Sequence, residues 1–359
     1  MASMLKRPSL PAAIDWAKAN LFNGWLNSAL TLACLYLVAI GVVKLVGWGV
    51  FGAVWSGTPQ DCAAAAGSGA CWAAVGEKHR FILFGRYNFE EQWRPAIGLG
   101  LVVAMVLISF VRRFWTRWLA VAWFITIAIF GVLMWGGVFG LTFVSHENWG
   151  GLPLTLILAG IGMLAAFPLG IVLALGRRSK LPVIRSVSVA YIELIRGVPL
   201  ITVLFMASVM IPLFLPNGVT FDKLLRAQIG FILFAAAYLA EVVRGGLQAV
   251  AKGQSEAADA LGLGYWQKTW LIVLPQALRL VIPPLVNTFI GMFKDTSLVI
   301  IISLVDLLNA GKIAIGDPMW RSYYVEMYIF MALIYFWFCY SMSKFSQNVE
   351  KDLNKGMQR

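Results

Sequence analysis

The sequence predicts an all-α, polytopic membrane protein, and three observations carry that prediction. Of 359 residues, 60% are hydrophobic and only 13% charged, against about 45–50% and about 25% in soluble domains. Mean hydropathy is +0.78, and the apolar residues fall in several runs of about 20, the length that crosses a hydrocarbon slab roughly 30 Å thick as a helix. A soluble fold of this size keeps a polar skin and cannot hide such a surplus. Two His and four Cys, with no Cys-x-x-Cys pair, supply too few ligands for haem, quinone-pool redox centres or zinc catalysis, so no metal site is expected.

Ahead of the first span, Asp15 to Lys18 with Leu21, Phe22 and Trp25 reads as an interfacial amphipathic segment, since a removable signal peptide would need an apolar h-region and a small-residue cleavage site. About eight spans follow, at 27–54, 95–111, 118–140, 151–176, 187–212, 227–246, 280–303 and 322–343. With the N-terminus inside, cytoplasmic segments hold eighteen Lys and Arg and outside loops eight; the positive-inside rule then places both termini in the cytoplasm. Arg112-Arg113-Phe114-Trp115-Thr116-Arg117-Trp118 fits a cytoplasmic headgroup boundary. The net charge of +12 is therefore a topology signal, and nucleic acid is not expected as a partner.

The loop 55–94 is the longest outside stretch and carries Cys62 and Cys71. In an oxidising compartment they close a short disulfide; the alternative is two unpaired small residues in an Ala/Gly-rich loop. The texture of the chain changes near 145. Residues 1–145 read as a three-helix extension, 146–345 as a five-helix working core, and 346–359 as a cytoplasmic tail. Within the core, Gly160, Gly162, Ala165, Ala166, Pro168 and Gly170 predict close helix packing with a kink in the fourth span.

Intramembrane charges are costly and belong at a cavity or with one another. Glu241, among the small residues Ala235, Ala236, Ala237 and Ala240, is either an acid for a substrate ammonium or the i,i+3 partner of Arg244. Glu193 and Arg196 also stand three apart, followed by Gly197-Val198-Pro199. Irregular backbone at membrane depth lines protein or water, so a gate is expected at this bend, with Glu193 pairing Arg196. Lys294, Asp295, Thr296 and Ser297 interrupt the seventh span, and adjacent helical positions point apart, so Lys294 and Asp295 cannot simply neutralise each other. Glu326, with Tyr323, Tyr324 and Tyr328 nearby, reads as an interfacial charge in an aromatic belt.

Between spans six and seven, 249–279 forms a polar loop. Its pattern predicts a helical hairpin in which Ser255 caps a helix from Glu256 to Leu261, Gly262 ends it, and a second helix stops at Pro275. The physics alone leaves two readings, a solvated connector or an amphipathic helix that docks on a soluble partner. Glu256-Ala257-Ala258, three residues, Gly262, nine residues, Ile272, one residue, Leu274-Pro275 resembles the full signature of the permease subunits of bacterial ABC importers. Tyr191 to Leu200, Ala237 to Gly246 and Lys294 to Leu298 resemble blocks of the polar amino-acid subfamily, with Val198 a departure where Thr is common. Through its extra spans the full chain resembles the larger permeases of Gram-negative general L-amino-acid importers.

What this resemblance implies is a transmembrane subunit of the bacterial inner membrane that moves polar L-amino acids by alternating access. Its coupling helix, with Glu256, Ala257, Ala258, Gly262, Leu274 and Pro275, enters a cleft of a separate ATPase. The substrate pathway is expected among Glu241, Glu193, Arg196, Lys294, Asp295, Thr296 and Ser297. Implied partners are a second permease subunit, expected to form a heterodimer with this one, two cytoplasmic ATPase subunits and a periplasmic amino-acid-binding protein. The only Gly-Lys pair, Gly311-Lys312, is followed by Ile313, so the chain lacks a phosphate-binding loop. It is therefore not expected to be an enzyme or to bind a cofactor; ATP and Mg belong to the partner ATPase. The competing class is an ion-gradient-driven secondary transporter or channel. That class favours inverted repeats with paired broken helices, and no repeat relates 1–140 to 150–345.

Overall fold

A computed structural model describes residues 10–65, 67–214, 216 and 221–355. It divides into two units, Met1–Glu77 and Lys78–Arg359. In the first, α1 (Leu10–Asn20) precedes α2 (Trp25–Val46), which continues as a π turn over Gly47–Phe51. Trp16 and Trp25 are exposed, as suits rings that lie at a membrane interface. Helix α3 (Pro59–Ala64) starts in a reciprocal cap. The Thr58 N–H donates to Asp61 Oδ2 at 2.7 Å, while the Asp61 N–H donates to Thr58 Oγ1 at 3.4 Å. Cys62 and Cys71 are disulfide-bonded, with Cα atoms 5.6 Å apart. Beside the bridge, Trp72 Nε1 donates to the Gly49 carbonyl at 2.7 Å and its ring stacks on Trp55. A loop this short contributes about 2–3 kcal/mol when cross-linked.

Helix α4 (Trp72–Phe84) runs from the first unit into the second, where α5 (Trp93–Ser109) and α6 (Arg117–Trp135) follow. Phe130 of α6 lies against Gly98 of α5, where a Cβ would meet the ring at 2.2 Å. Arg94 is fully buried, donating to the Thr142 carbonyl at 2.7 Å and pairing with Glu91 at 2.6 Å. The third span stops at Trp135 rather than near 140, because Gly136 and Gly137 take positive φ values of 67° and 72° that end a helix.

The core is built on α7 (Gly151–Arg177) and α11 (Lys223–Ala249), both of 27 residues. They approach through small residues. A Cβ on Gly170 would stand 2.9 Å from Leu239 Cβ and 3.2 Å from the Ala236 carbonyl, and Gly162 faces Gln228 and Phe231. The expected stripe is therefore split: Gly162, Ala166 and Gly170 are buried, whereas Gly160 and Pro168 are exposed. Between these helices the predicted fifth span is a bent pair, α8 (Pro182–Arg196) and α9 (Leu200–Phe205), continuing through a π turn into α10 (Ile211–Leu213), with a bend of 104°. Pro199 lacks an N–H and stands as the N-cap of α9 with extended φ and ψ, so the helix cannot run through it.

After α11 come α12 (Lys252–Ala260), α13 (Tyr265–Lys268), a π turn over Thr269–Val273, and α14 (Leu274–Leu280). Helix α15 (Ile282–Asp295) tightens into a 3-10 segment over Thr296–Ile302, and α16 (Leu307–Ile315) and α17 (Tyr324–Lys355) close the chain. Seven helices are long and apolar enough to cross a membrane, or eight with the bent pair, among the described residues.

Within the second unit, which starts at Lys78, the segment holding α5 and α6 is tied to the helices that follow. Lys78 pairs with Asp317 at 2.6 Å, Arg112 pairs with Asp352 at 2.5 Å, and the Trp115 ring meets Phe345 at 5.5 Å. Residues 346–355 continue α17 as one helix; positions 356–359 of the expected tail lie outside the described residues.

Candidate functional site

Two regions gather the side chains singled out from the sequence. The first is the polar loop. Ser255 lies inside α12 and the N-cap is Ala251, so the helix starts one turn earlier than its capping residue implied. Gly262 ends it at φ +73°, a conformation that costs an L side chain roughly 1–2 kcal/mol. Pro275 does not stop the second helix. The π turn just before it widens the ladder, and Pro275 occupies the first turn of α14, where its missing N–H is harmless.

Within this loop Ala258, Leu274 and Ala277 are buried, and Asp259 pairs with Lys268 at 2.6 Å. Gln276 Nε2 donates to Gln254 Oε1 at 3.0 Å, joining α12 to α14. Outward stand Glu256 and Ala257, with Leu261, Tyr265, Trp266, Trp270 and Leu271 all more than half exposed. Glu256 has no ion-pair partner among the described residues. An unneutralised carboxylate beside a block of bare aromatic surface, on short helices braced by buried alanines, has the anatomy of a rigid docking face.

The second region is an ion cluster where α7, α8 and α11 converge. Glu241 accepts from Arg244 Nη2 at 2.9 Å and Nε at 3.0 Å, meets Arg177 at 2.9 Å and reaches Arg196 at 3.5 Å. Arg177 uses the same Nη1 to hold Glu193 at 2.8 Å. Both readings of Glu241 are refined by this geometry. Arg244 is a partner, and so are two guanidinium groups from neighbouring helices. The expected pair within α8 is replaced by cross-pairing. Glu193 turns to Arg177 of α7 and Arg196 to Glu241 of α11. The Arg196 guanidinium also lies over the Tyr238 ring at 5.6 Å, and Arg178 Nη1 donates to the Leu247 carbonyl at 2.7 Å. Three arginines and two glutamates leave one excess positive charge on a clasp across the helix ends.

Arg177 was hidden from the sequence reading, which placed it in a cytoplasmic loop. Its only signal is position, the last residue of α7 before the chain turns into α8.

The remaining candidates are dispersed. Lys294 is exposed and Asp295 half-buried, and neither forms an ion pair among the described residues. The buried Thr296 Oγ1 donates to the Phe293 carbonyl at 2.8 Å, and the Ser297 carbonyl accepts from Asn309 Nδ2 at 2.8 Å. These hydroxyl-bearing residues mark where α15 tightens into its 3-10 segment. Glu326 is buried near the start of α17.

A polar network missed from the sequence lies beyond that segment. Asp306 is fully buried and caps α16, accepting from the Leu308 N–H at 3.2 Å, the Asn309 N–H at 3.2 Å, Asn309 Nδ2 and Tyr335 Oη at 3.2 Å. Burial pushes the Asp306 carboxyl pKa up, against the pull of those donors. Thr155 Oγ1 accepts from the Leu307 N–H at 3.0 Å, so α7, α16 and α17 meet at one buried polar point. The readable signal was Asp306 three residues before Asn309, an N-cap pattern inside an apolar run. No group of three or more metal-ligating side chains gathers among the described residues.

Residues 166–355 match the family described as binding-protein-dependent transport system inner membrane component. The inner membrane amino-acid ABC transporter permease protein YhdY of Escherichia coli (strain K12) is 49% identical, with 98% of each chain covered. The glutamate/glutamine/aspartate/asparagine transport system permease protein BztC of Rhodobacter capsulatus is 37% identical, covering 96% of this chain and 94% of that one. Among solved structures, an amino acid ABC transporter crystallised with histidines aligns at a TM-score of 0.50 and 32% identity, over 56% of this chain and 92% of that one.

Proposed function

Since this chain belongs to the family of binding-protein-dependent transport system inner membrane components, we propose that it is the permease subunit of an ATP-driven importer of polar L-amino acids. It is a multi-pass inner membrane protein. Both termini are cytoplasmic, on the side where the Lys and Arg concentrate. The named substrates of its relatives point to acidic amino acids and their amides. ATP and Mg are used by a separate ATPase subunit, of which two copies sit below a pair of permease chains, and a periplasmic binding protein delivers the substrate. The second permease is a related but different chain.

The observation that carries this reading is the exposed face of α12 and α13. Glu256 meets basic residues of the ATPase, Gly262 permits the turn, and the brace of Ala258, Leu274 and Pro275 transmits the motion of nucleotide closure. Above it, the Glu241 clasp keeps the cytoplasmic end of the route closed and must separate for release. Lys294, Asp295, Thr296 and Ser297 line the pathway near mid-span, where α15 changes its winding.

The test uses the complex purified through a tag on this chain and reconstituted into proteoliposomes. ATP-dependent uptake of radiolabelled glutamate or glutamine is expected, and Glu256→Lys is expected to reduce it at least tenfold while the chain still inserts and folds. Uptake that persists without ATP would overturn the importer reading, and unchanged uptake in Glu256→Lys would overturn the docking role.

A further inference from the structure

Away from the clasp and the docking face, a cavity of about 260 Å³ opens between α5, α6 and α17. Val106 of α5, Phe110 just past its end, Trp123 of α6 and Phe338, Met342 and Phe345 of α17 form its walls. The Ser109 hydroxyl is already engaged. Ser109 Oγ donates to the Met105 carbonyl at 2.8 Å and accepts from Trp123 Nε1 at 3.0 Å. A lining of this kind offers water almost nothing. Apolar cavities of about 150 Å³ stay dry and take up hydrocarbon, and this one lies among helices whose outer faces meet lipid.

The charges beside the cavity define the other half of the ligand. Arg112, Arg113 and Arg117 lie a few positions after Phe110 in the chain, and Trp115 Nε1 donates to the Ser109 carbonyl at 2.8 Å. Arg112 is neutralised by Asp352. Three cations are not neutralised by any acid among the described residues. Arg113 is exposed, Arg117 lies over the Trp118 ring at 5.7 Å, and Lys344 has only the Tyr340 ring at 5.6 Å and Gln347 Oε1 at 3.3 Å.

An apolar slot beside unneutralised Lys and Arg at a membrane edge matches a phospholipid with a net negative head. We propose that one anionic phospholipid seats an acyl chain in this cavity and sets its phosphate among Arg113, Arg117 and Lys344, joining α5 and α6 to α17. The proposal depends only on the chain spanning the membrane, and the substrate and the ATPase do not enter it. A zwitterionic lipid fills the slot equally well but brings its own cation to the same place, and inorganic phosphate has no chain to bury.

The experiment is native mass spectrometry of the purified complex released from nanodiscs of phosphatidylglycerol and phosphatidylethanolamine, with thermal unfolding followed as either lipid, or inorganic phosphate alone, is added back to delipidated protein. One phosphatidylglycerol retained per chain and a rise in melting temperature with that lipid alone are expected. Each surface Lys or Arg contributes enough that the Arg113→Gln, Arg117→Gln, Lys344→Gln triple variant should bind it on the order of 10²-fold more weakly. Ser341 also lines the cavity, so Ser341→Leu, which fills the slot and keeps every charge, should expel the lipid. Equal retention of phosphatidylethanolamine, unchanged binding in the triple variant, unchanged binding in Ser341→Leu, or stabilisation by inorganic phosphate would each overturn the proposal.

Discussion

Substituting Glu241 with Gln tests the ion clasp most directly. The carboxylate takes Arg244 through both oxygens at 2.9–3.1 Å, Arg177 at 2.9 Å and Arg196 at 3.5 Å, with only 16% of its side chain exposed. An amide keeps one acceptor and turns a donor toward guanidinium groups that cannot accept. The excess charge of the cluster rises from one to two. Removing one partner of a buried pair costs about 3–5 kcal/mol; partial solvent access at the arginines lowers the expectation to about 3 kcal/mol, on the order of 10²-fold in the folded-to-unfolded ratio. Denaturant unfolding in micelles, followed by tryptophan fluorescence, measures it. The Glu241→Gln, Arg244→Gln double variant supplies the control, because removing both partners should recover about 1–2 kcal/mol relative to the sum of the singles. A loss below about 0.5 kcal/mol in Glu241→Gln, the range of ordinary surface substitutions, would refute the clasp.

Two further outcomes follow from geometry. Gly170→Leu is expected to destabilise by at least about 2 kcal/mol, since its Cβ would stand 2.9 Å from Leu239 Cβ with backbone behind it. Gly160→Leu meets nothing within 4 Å at its Cβ and should be neutral or slightly stabilising, and equal thermal midpoints for the two would contradict the α7 and α11 contact. Asp317 is held below the usual carboxylate range by its hydrogen bond from Lys78 and by the Met319 N–H. A depressed folded pKa contributes stability that is full above the unfolded pKa of about 3.9 and lost as pH falls through the folded value. Asp317→Asn should therefore lower the melting temperature at pH 7, with the gap from the wild type closing as pH falls through the folded pKa; a gap that does not narrow in acid would exclude the Lys78 pair as its cause.

Most of the membrane layout was legible in advance because it depends on local sums. A span is a count of apolar residues, and Gly262 and Pro199 act through their own backbone. Caps were less legible. Ser255 had the right chemistry at the wrong position, since the turn before it, Lys252 to Gln254, also accepts helical geometry once Gln254 reaches Gln276. Pro275 was misread as a stop because a π turn is a cooperative choice of five residues that no single one announces.

The charges divide along the same line. That Glu193, Arg196 and Glu241 would be paired follows from the cost of burying them, and the sequence by itself determined that much, along with the helical class, the exposed loop and the family signature within it. Which partners they took was decided only by the tertiary structure. Arg177 is 64 positions from Glu241 in the numbering, and the two meet only because Gly162, Ala166 and Gly170 let α7 and α11 approach closely along their length. The same holds for Asp306 and Tyr335. Pairing of this kind depends on distances between helices, and those are set by the packing of side chains that one-dimensional order does not bring together.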